Sequence, residues 1–314
     1  MPRHDLIAFI HRPSLLLADT DLLTRSAQGF TAVLAAAPQP ALPLSLPRTR
    51  AQMLGALAQR QAQLETLMTK GTVLPVHPRT TLRIETAEAT IAANLPLLEE
   101  AARWLDGLVQ YQITIRWTEA KVLVHFRDAP EIAPLFAEGN VSQSGLNAAI
   151  RNLIARLRGQ MRTLLDPVVN DLMPLPTDEG MLLNIVVLVA EGAQQRLDRA
   201  LERIDAIWPE GLSIRQIGPA PATSFALLHL TDIGLRDLHA ARVTLSPDTD
   251  SADSLHEARR RKLMAGTADA GAIRQAFDLL EAARRAGTPN GGFSMIRMTA
   301  QDQGDALSGK EAVA

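Results

Sequence analysis

The clearest pattern of hydrophobic and polar positions is a strict alternation near the middle of the chain. Apolar residues occupy every second position from Val109 to Trp117. The positions between them are polar, namely Gln110, Gln112, Thr114 and Arg116. Because successive side chains of a β-strand point to opposite faces, this pattern predicts a strand with one face on a core and the other in water. The sheet that contains it is therefore expected to be open on one side.

A well-delimited helix is predicted earlier in the chain, over residues 49–71. Thr49 and Gln52 have the spacing of a capping box, in which each side chain satisfies a free backbone N–H group. Gly71 suits the left-handed position that ends a helix. The strand predicted next, residues 72–76, contains Pro75, which cannot donate a ladder hydrogen bond and favours a sheet edge.

Weaker patterns predict the remaining elements. Further strands are expected at 5–11, 30–36, 181–190, 212–217, 225–230 and 293–298. Further helices are expected at 86–105 (split near Pro96), 118–127, 144–165, 193–208, 255–264 and 272–285. Short strands mixed with helices of this length predict an α+β fold.

The order of these elements also predicts a division into domains. Pro167, Pro174 and Pro176 indicate a linker before the apolar strand that begins at Met181. The strand–helix–strand–strand order that follows is half of a ferredoxin-like fold. We therefore expect four segments: an N-terminal α+β domain at 1–117, a helical connector at 118–179, a ferredoxin-like domain with extra helices at 180–300, and a flexible tail at 301–314.

Composition narrows the class of protein. The chain of 314 residues contains no cysteine, which excludes disulfides and thiolate metal sites and fits the cytoplasm. Its 32 basic and 34 acidic residues nearly balance, so no strong attraction to nucleic acid or anionic membrane is expected. The longest apolar run, Met181–Ala190, is far shorter than the roughly 20 residues that a bilayer requires.

Catalytic motifs are missing from the sequence. It contains no P-loop, no G-x-G-x-x-G and no G-x-S-x-G motif. His256 and Glu257 begin like a zinc-protease helix, but Arg260 occupies the position of the second ligand. We therefore predict a protein that is not an enzyme and that has no catalytic residue, no metal site, no cofactor and no small-molecule substrate.

Two alternative functions remain open. Asp19 and Asp21 follow an apolar run and could serve a metal-dependent phosphohydrolase, although carboxylates are also favoured at a helix N-terminus. The helix at 144–165 carries several arginines off its apolar stripe and could bind nucleic acid. No aromatic residue stands between these arginines to stack on a base, so a solvated face is the simpler interpretation.

Several short segments together resemble one family. They are Leu64-Glu65-Thr66-Leu67, Gly71-Thr72-Val73-Leu74-Pro75-Val76, Leu105-Asp106-Gly107 and the later Gly218-Pro219-Ala220-Pro221-Ala222-Thr223-Ser224-Phe225. In order and spacing they are similar to the gas vesicle protein L/F family (GvpL/GvpF). The match is that of a divergent member, because His77-Pro78-Arg79-Thr80 replaces the family's R-F-G-T and Gln110 replaces a glutamate.

The resemblance implies an accessory protein of gas vesicle assembly, in the cytoplasm and at the vesicle. Such a protein would bind the small hydrophobic shell protein and other gas vesicle proteins. A sheet edge beside an uncovered sheet face suits this role, since it offers backbone hydrogen bonds and surface together. The candidate partner-binding residues are Val73, Pro75, Val76, Gln110, Gln112, Thr114 and Arg116. We expect residues 1–117 to hold this site; the alternative is that segment 118–138 covers the Pro75 edge and that binding lies elsewhere.

Overall fold

The computed structural model describes residues 2–13, 22–38, 50–137, 142–266 and 269–299. Helices and strands are both abundant in these residues, and the fold is α+β as the sequence predicts. The carboxylates Asp19 and Asp21 and the tail at 301–314 lie outside the described residues, and so do the predictions that concern them.

The elements follow one another in this order along the chain. The strands are β1 His4–His11, β2 Leu22–Ala27, β3 Phe30–Pro38, β4 Thr72–Pro75, β5 Thr81–Leu82, β6 Leu108–Trp117, β7 Asp171–Pro174, β8 Met181–Ala190, β9 Leu212–Ala220, β10 Leu227–Ile233 and β11 Phe293–Thr299. The helices are α1 Arg50–Met68, α2 Ala87–Ala93, α3 Leu95–Leu105, α4 Glu119–His125, α5 Ala133–Ala137, α6 Gln143–Leu165, α7 Gln194–Asp205, α8 Leu235–Leu245, α9 Ala252–Ala265 and α10 Ala270–Arg285.

Most of the predicted elements are present, with boundaries shifted by a few residues. The helix expected at 86–105 divides at Asn94, and Pro96 lies in the first turn of α3, where a missing N–H costs nothing. The elements that the pattern missed are mainly β2, β7 and α8. In β7 the terminal proline indicated a linker, yet the strand lies at a sheet edge, where proline is tolerated.

The described chain forms two compact units, and their boundaries differ from the expected domains. One unit comprises Met1–Asp106 with Ala226–Asp302, and the other is built from Gly107–Phe225. The expected break at residue 117 falls at the end of β6, which pairs with β8 and β9 and so belongs with later residues. The alternation in β6 predicted a strand correctly, but it carries no information about which distant strands complete the sheet.

The first unit contains a sheet with the strand order β2-β3-β1-β4, and β5 pairs with β1 beyond the end of β4. Helix α1 packs on this sheet through Leu64 and Leu67, which are buried. Their apolar neighbours come from β1, β3 and β4, namely Ile7, Ala8, Ile10, Val33 and Val73. The C-terminal half of α1 is thus held on the sheet by these two leucines, whereas Leu54 and Leu57 in its N-terminal half are exposed.

Arg60 is a buried cation at the point where α1 crosses the sheet. Its Nη2 donates hydrogen bonds to the carbonyl oxygens of Leu6, Ile7 and Val76 at 2.9, 3.0 and 2.7 Å. Pairing of β1 with β3 is irregular around Leu6, and the guanidinium supplies a donor where this ladder is interrupted. Burial lowers the pKa of Arg60, and the carboxylate of Asp5 opposes that change.

The first unit also includes the last part of the described chain. Strands β10 and β11 form a separate antiparallel pair, from Leu227 opposite Thr299 to Ile233 opposite Phe293. Helices α8, α9 and α10 share a core with α2 and β11. The ferredoxin-like domain expected at 180–300 is therefore not found there, because β10 pairs with β11 instead of joining β8 and β9.

The second unit has a four-stranded sheet with the order β7-β8-β6-β9, in which every neighbouring pair is antiparallel. Together with α6 and α7, this is the β-α-β-β-α-β arrangement of a split βαβ unit, starting at β6. The segment expected to be a helical connector contributes α6 and β7 to it. Buried leucines such as Leu157 in α6 and Leu197 in α7 complete the apolar layer, into which the odd-numbered side chains of β6 point.

Candidate partner-binding surface

Three of the candidate binding residues, Val73, Pro75 and Val76, lie in or next to β4. Their side chains are all buried, and Val73 packs against α1 and β1. The end of this strand is also occupied: Val76 bridges to Leu228 of β10, and the His77 N–H donates to the Leu228 carbonyl at 2.8 Å. These three side chains are therefore part of the packed interior and offer little surface to a partner.

The other four candidates, Gln110, Gln112, Thr114 and Arg116, share one face of β6. The first three are half-buried and Arg116 is exposed, whereas the alternating positions, such as Ile113, are buried. The structure thus brings these four together as the alternation predicts, on the face of the second unit's sheet that does not meet its apolar layer. We call this face the polar face.

Hydrogen bonds organise the side chains of the polar face. Gln112 Nε2 and Thr114 Oγ1 both donate to Oδ1 of Asn184 at 3.2 Å. Asn184 in turn donates to the Pro176 carbonyl at 2.7 Å. These hydrogen bonds fix the side chains of Gln112, Thr114 and Asn184, so this part of the face is preorganised.

The polar face continues onto β9, a contribution that the sequence pattern did not indicate. Thr114 lies opposite Arg215, Arg116 opposite Ser213 and Gln112 opposite Ile217, and directly opposed residues in an antiparallel pair share a face. These three β9 residues are exposed, Ile217 to 46%. The alternation in residues 212–217 was the available signal, but it indicated a strand and not which strand lay beside it.

Exposure on the polar face is therefore concentrated at its β9 side. Towards β8, the residues opposite Gln112 and Gln110 are Val186 and Leu188, and both are buried. On the β9 side stand two guanidinium groups, Arg116 and Arg215. Arg116 donates to the Glu179 carbonyl at 3.3 Å, and neither arginine forms an ion pair with a described carboxylate. The accessible part of the face thus presents two guanidinium groups that form no ion pair among the described residues.

The Gly218–Pro219 segment closes one end of this surface. Gly218 has a φ of +140°, and a Cβ atom built on it would lie 2.7 Å from Tyr111 Cδ1 and 2.8 Å from the Gln110 carbonyl oxygen. The chain then turns back, and the Ser224 N–H donates to Gln110 Oε1 at 3.0 Å. Glycine is required here by close packing against β6.

The arginines of α6, considered above as a nucleic-acid surface, are mostly engaged within the second unit. Arg156 pairs with Glu131 at 2.8 Å, Arg158 donates to the Leu182 carbonyl at 2.6 Å, and Arg162 lies 3.7 Å from Asp166. The Arg156 hydrogen bond also lowers the pKa of Glu131. The fourth arginine, Arg151, is exposed. The helix therefore does not present an array of free cations.

Histidines that are scattered in the sequence meet in one place. The rings of His77 and His229 stack with their centroids 4.7 Å apart. Burial lowers the pKa of His229, and the neighbouring His77 lowers it further.

Across residues 2–13, 22–38, 50–137, 142–266 and 269–299, no group of three or more histidine, aspartate or glutamate side chains is placed to hold a metal ion. In the same ranges no helix has the length and hydropathy needed to cross a bilayer.

A comparison with protein families identifies the chain. The model of the family described as "Gas vesicle synthesis protein GvpL/GvpF" matches residues 16–226, about two thirds of the sequence. The chain belongs to the GvpL/GvpF family. The match includes all of the second unit's sheet, with its polar face, and ends just before β10 begins. Helices α8, α9 and α10 and strand β11 lie beyond the part that the family model covers.

Solved structures of GvpF proteins share the fold. The gas vesicle protein GvpF from Anabaena sp. PCC7120 is 18% identical with a TM-score of 0.55, and the similarity covers 70% of this chain and 96% of that one. GvpF from Microcystis aeruginosa is 17% identical with a TM-score of 0.51, covering 70% and 97%. No curated protein sequence matches the chain. The resemblance to the GvpL/GvpF family that the sequence motifs predicted is thereby confirmed.

Proposed function

We propose that this GvpL/GvpF protein is a non-catalytic accessory protein of gas vesicle formation. It binds the small hydrophobic shell protein, and other gas vesicle proteins, in the cytoplasm and at the vesicle. The observation that carries the proposal is the family match over residues 16–226. A shell subunit with one apolar side must hide that side before assembly or aggregate, and a soluble partner can shield it.

The polar face is the surface that we assign to this binding. It keeps four of the residues predicted from sequence, Gln110, Gln112, Thr114 and Arg116, and adds exposed neighbours from β9. Ile217 supplies an exposed apolar group among them. The buried side chains of Val73, Pro75 and Val76 are left out, because a side chain in the core cannot contact a partner without local unfolding.

Tests of this proposal require the full chain. A fragment ending at residue 117 would separate β6 from β8 and β9, and the polar face would be lost with the sheet. The residues of the first unit come from both ends of the chain, so a simple truncation does not isolate either unit. Point variants avoid both problems.

Charge reversal on the polar face is the direct experiment. Arg116→Glu with Arg215→Glu should reduce capture of the co-expressed shell protein of the same organism by at least about tenfold, as expected when an interface centre is changed. Arg151→Glu, a charge reversal on an exposed position of α6, is the matched control and should leave capture unchanged. If the unmodified chain captures no shell protein, the proposed function is wrong. If both variants bind alike, the assignment to the polar face is wrong.

A further inference from the structure

Strand β9 is a long edge strand. It pairs with β6 on one side, and on the other side no strand of the described residues pairs with it. A free strand edge presents a row of backbone N–H and C=O groups that can pair with another extended chain. Over residues 212–217 this row is about 20 Å long at the usual rise per residue.

The register shows which backbone groups point outwards. The Thr118 N–H donates to the Gly211 carbonyl at 2.8 Å, just beyond the ladder between β6 and β9. Because bonded positions alternate in an antiparallel pair, residues 213, 215 and 217 then turn their backbone groups towards β6. Leu212, Ile214 and Gln216 turn theirs outwards. The Leu212 N–H donates to the Trp208 carbonyl at 3.1 Å, which leaves Ile214 and Gln216 as the available pair.

The other edge of the same sheet, strand β7, is much less suitable for pairing with another extended chain. Strand β7 has only four residues, Asp171–Pro174, and its last residue lacks an N–H. Immediately after it the Leu175 N–H donates to the Asn184 carbonyl at 2.8 Å, and Pro176 follows. Proline and short length are the usual ways in which proteins block an edge. In β9 a proline stands only near the far end, where Pro219 follows Gly218.

We propose that the outer edge of β9 binds an extended segment of the gas vesicle shell protein by strand addition. The inference rests on the proposed function and specifies how the same site works. The added strand pairs with the outward backbone groups of Ile214 and Gln216 and continues the sheet. Its side chains on the polar face lie beside Arg215 and Ile217, so the polar face and the strand edge form one docking site.

The two arginines of the polar face indicate which side chains the added strand should carry. Arg215 is exposed and forms no ion pair with a described carboxylate, and Arg116 lies on the neighbouring strand of the same face. An acidic side chain on the added strand, opposite or diagonal to Arg215, would therefore be favourable. A second copy of β9 is a poorer occupant, since antiparallel self-pairing over six residues brings two Arg215 side chains into one short strip.

A proline scan along β9 tests the strand-addition mode. Gln216→Pro removes an N–H that the fold does not use, and the ring obstructs the edge. It should weaken binding of the co-expressed shell protein by at least about tenfold, the scale of one or two lost interactions. Gln216→Ala changes the side chain but keeps the N–H, and it should bind within about twofold of the unmodified chain.

The neighbouring position checks the register on which the inference depends. Arg215→Pro removes an N–H that points to β6, so it should lower the unfolding temperature, whereas Gln216→Pro should leave it close to that of the unmodified chain. Circular dichroism melts measure both. Equal destabilisation by the two prolines would overturn the register and with it the inference.

Amide hydrogen exchange tests whether the outer edge of β9 is bound, using the unmodified chain. The amides of Ile214 and Gln216 should exchange rapidly in the free chain and become protected when the shell protein is bound. Binding without protection of these two amides, or binding by Gln216→Pro equal to that of Gln216→Ala, overturns strand addition while the proposed function stands. Loss of the complex in favour of a β9-linked homodimer, detected by light scattering, would overturn it too and assign the edge to a second copy.

Discussion

The side-chain amide of Asn94 donates a hydrogen bond to the carbonyl oxygen of Ser294 at 2.7 Å, although 200 positions separate the two residues. Asn94 also accepts from the Ile296 N–H at 2.8 Å and donates to the Thr90 carbonyl at 2.7 Å. Both Asn94 and Ser294 are buried. This network fastens β11, which lies beyond the residues that match the family model, to the junction of α2 and α3.

Removing that amide should destabilise the first unit. Asn94→Ala leaves the Ile296 N–H and the Ser294 carbonyl without this partner, and we expect the unfolding free energy to fall by about 3 kcal/mol. Urea denaturation of the full chain measures the change. Asn152→Ala, on an exposed position of α6, is the matched control and should change the free energy by less than about 0.5 kcal/mol. Equal effects of the two substitutions would show that the network contributes little.

The close packing of Gly218 against β6 predicts that a larger residue at this position lowers the stability of the chain. Gly218→Ala places a Cβ against Tyr111 at a φ that L-residues rarely adopt, and it should destabilise the chain by about 2 kcal/mol. Gly159→Ala should do the opposite. Gly159 lies within α6, and a Cβ added to it would meet no atom within 4 Å other than the adjacent backbone of its own helix, so alanine should stabilise by about 0.5–1 kcal/mol. Thermal melts distinguish the two, and a neutral Gly218→Ala would contradict the close approach.

The histidine pair predicts a pH dependence of stability. Since burial and His77 lower the pKa of His229 below its ordinary value of 6.5, the unfolded chain takes up a proton that the folded chain resists. Between the lowered pKa and 6.5, the unfolding free energy should therefore fall as the pH falls. His229→Asn should make this slope shallower in urea denaturation series across that window. An unchanged slope would mean that His229 is equally free to protonate in the folded chain.

Local patterns were sufficient for the elements that have one face in the core and the other in water. The alternation at 109–117 became β6, and Leu64 and Leu67 of α1 pack on the sheet of the first unit. The polar candidates on β6 were predicted for the same reason, because an uncovered sheet face has a polar residue at every second position of the strand. Val73 and Val76 were expected at an accessible edge, but their side chains are buried, since a proline in a strand indicates an edge and not what covers that edge.

The sequence by itself determined that the chain has a GvpL/GvpF-like series of helices and strands and a strand with one polar face. These are properties of neighbouring residues: periodicity, helix caps and turns act over a few positions. Only the tertiary structure decided that β6 pairs with β8 and β9, that β10 pairs with β11, and that no described strand covers the outer edge of β9. Strand pairing joins backbone groups that are the same in almost every residue. The choice of partner therefore depends on how the whole chain buries its apolar surface, which no local pattern records.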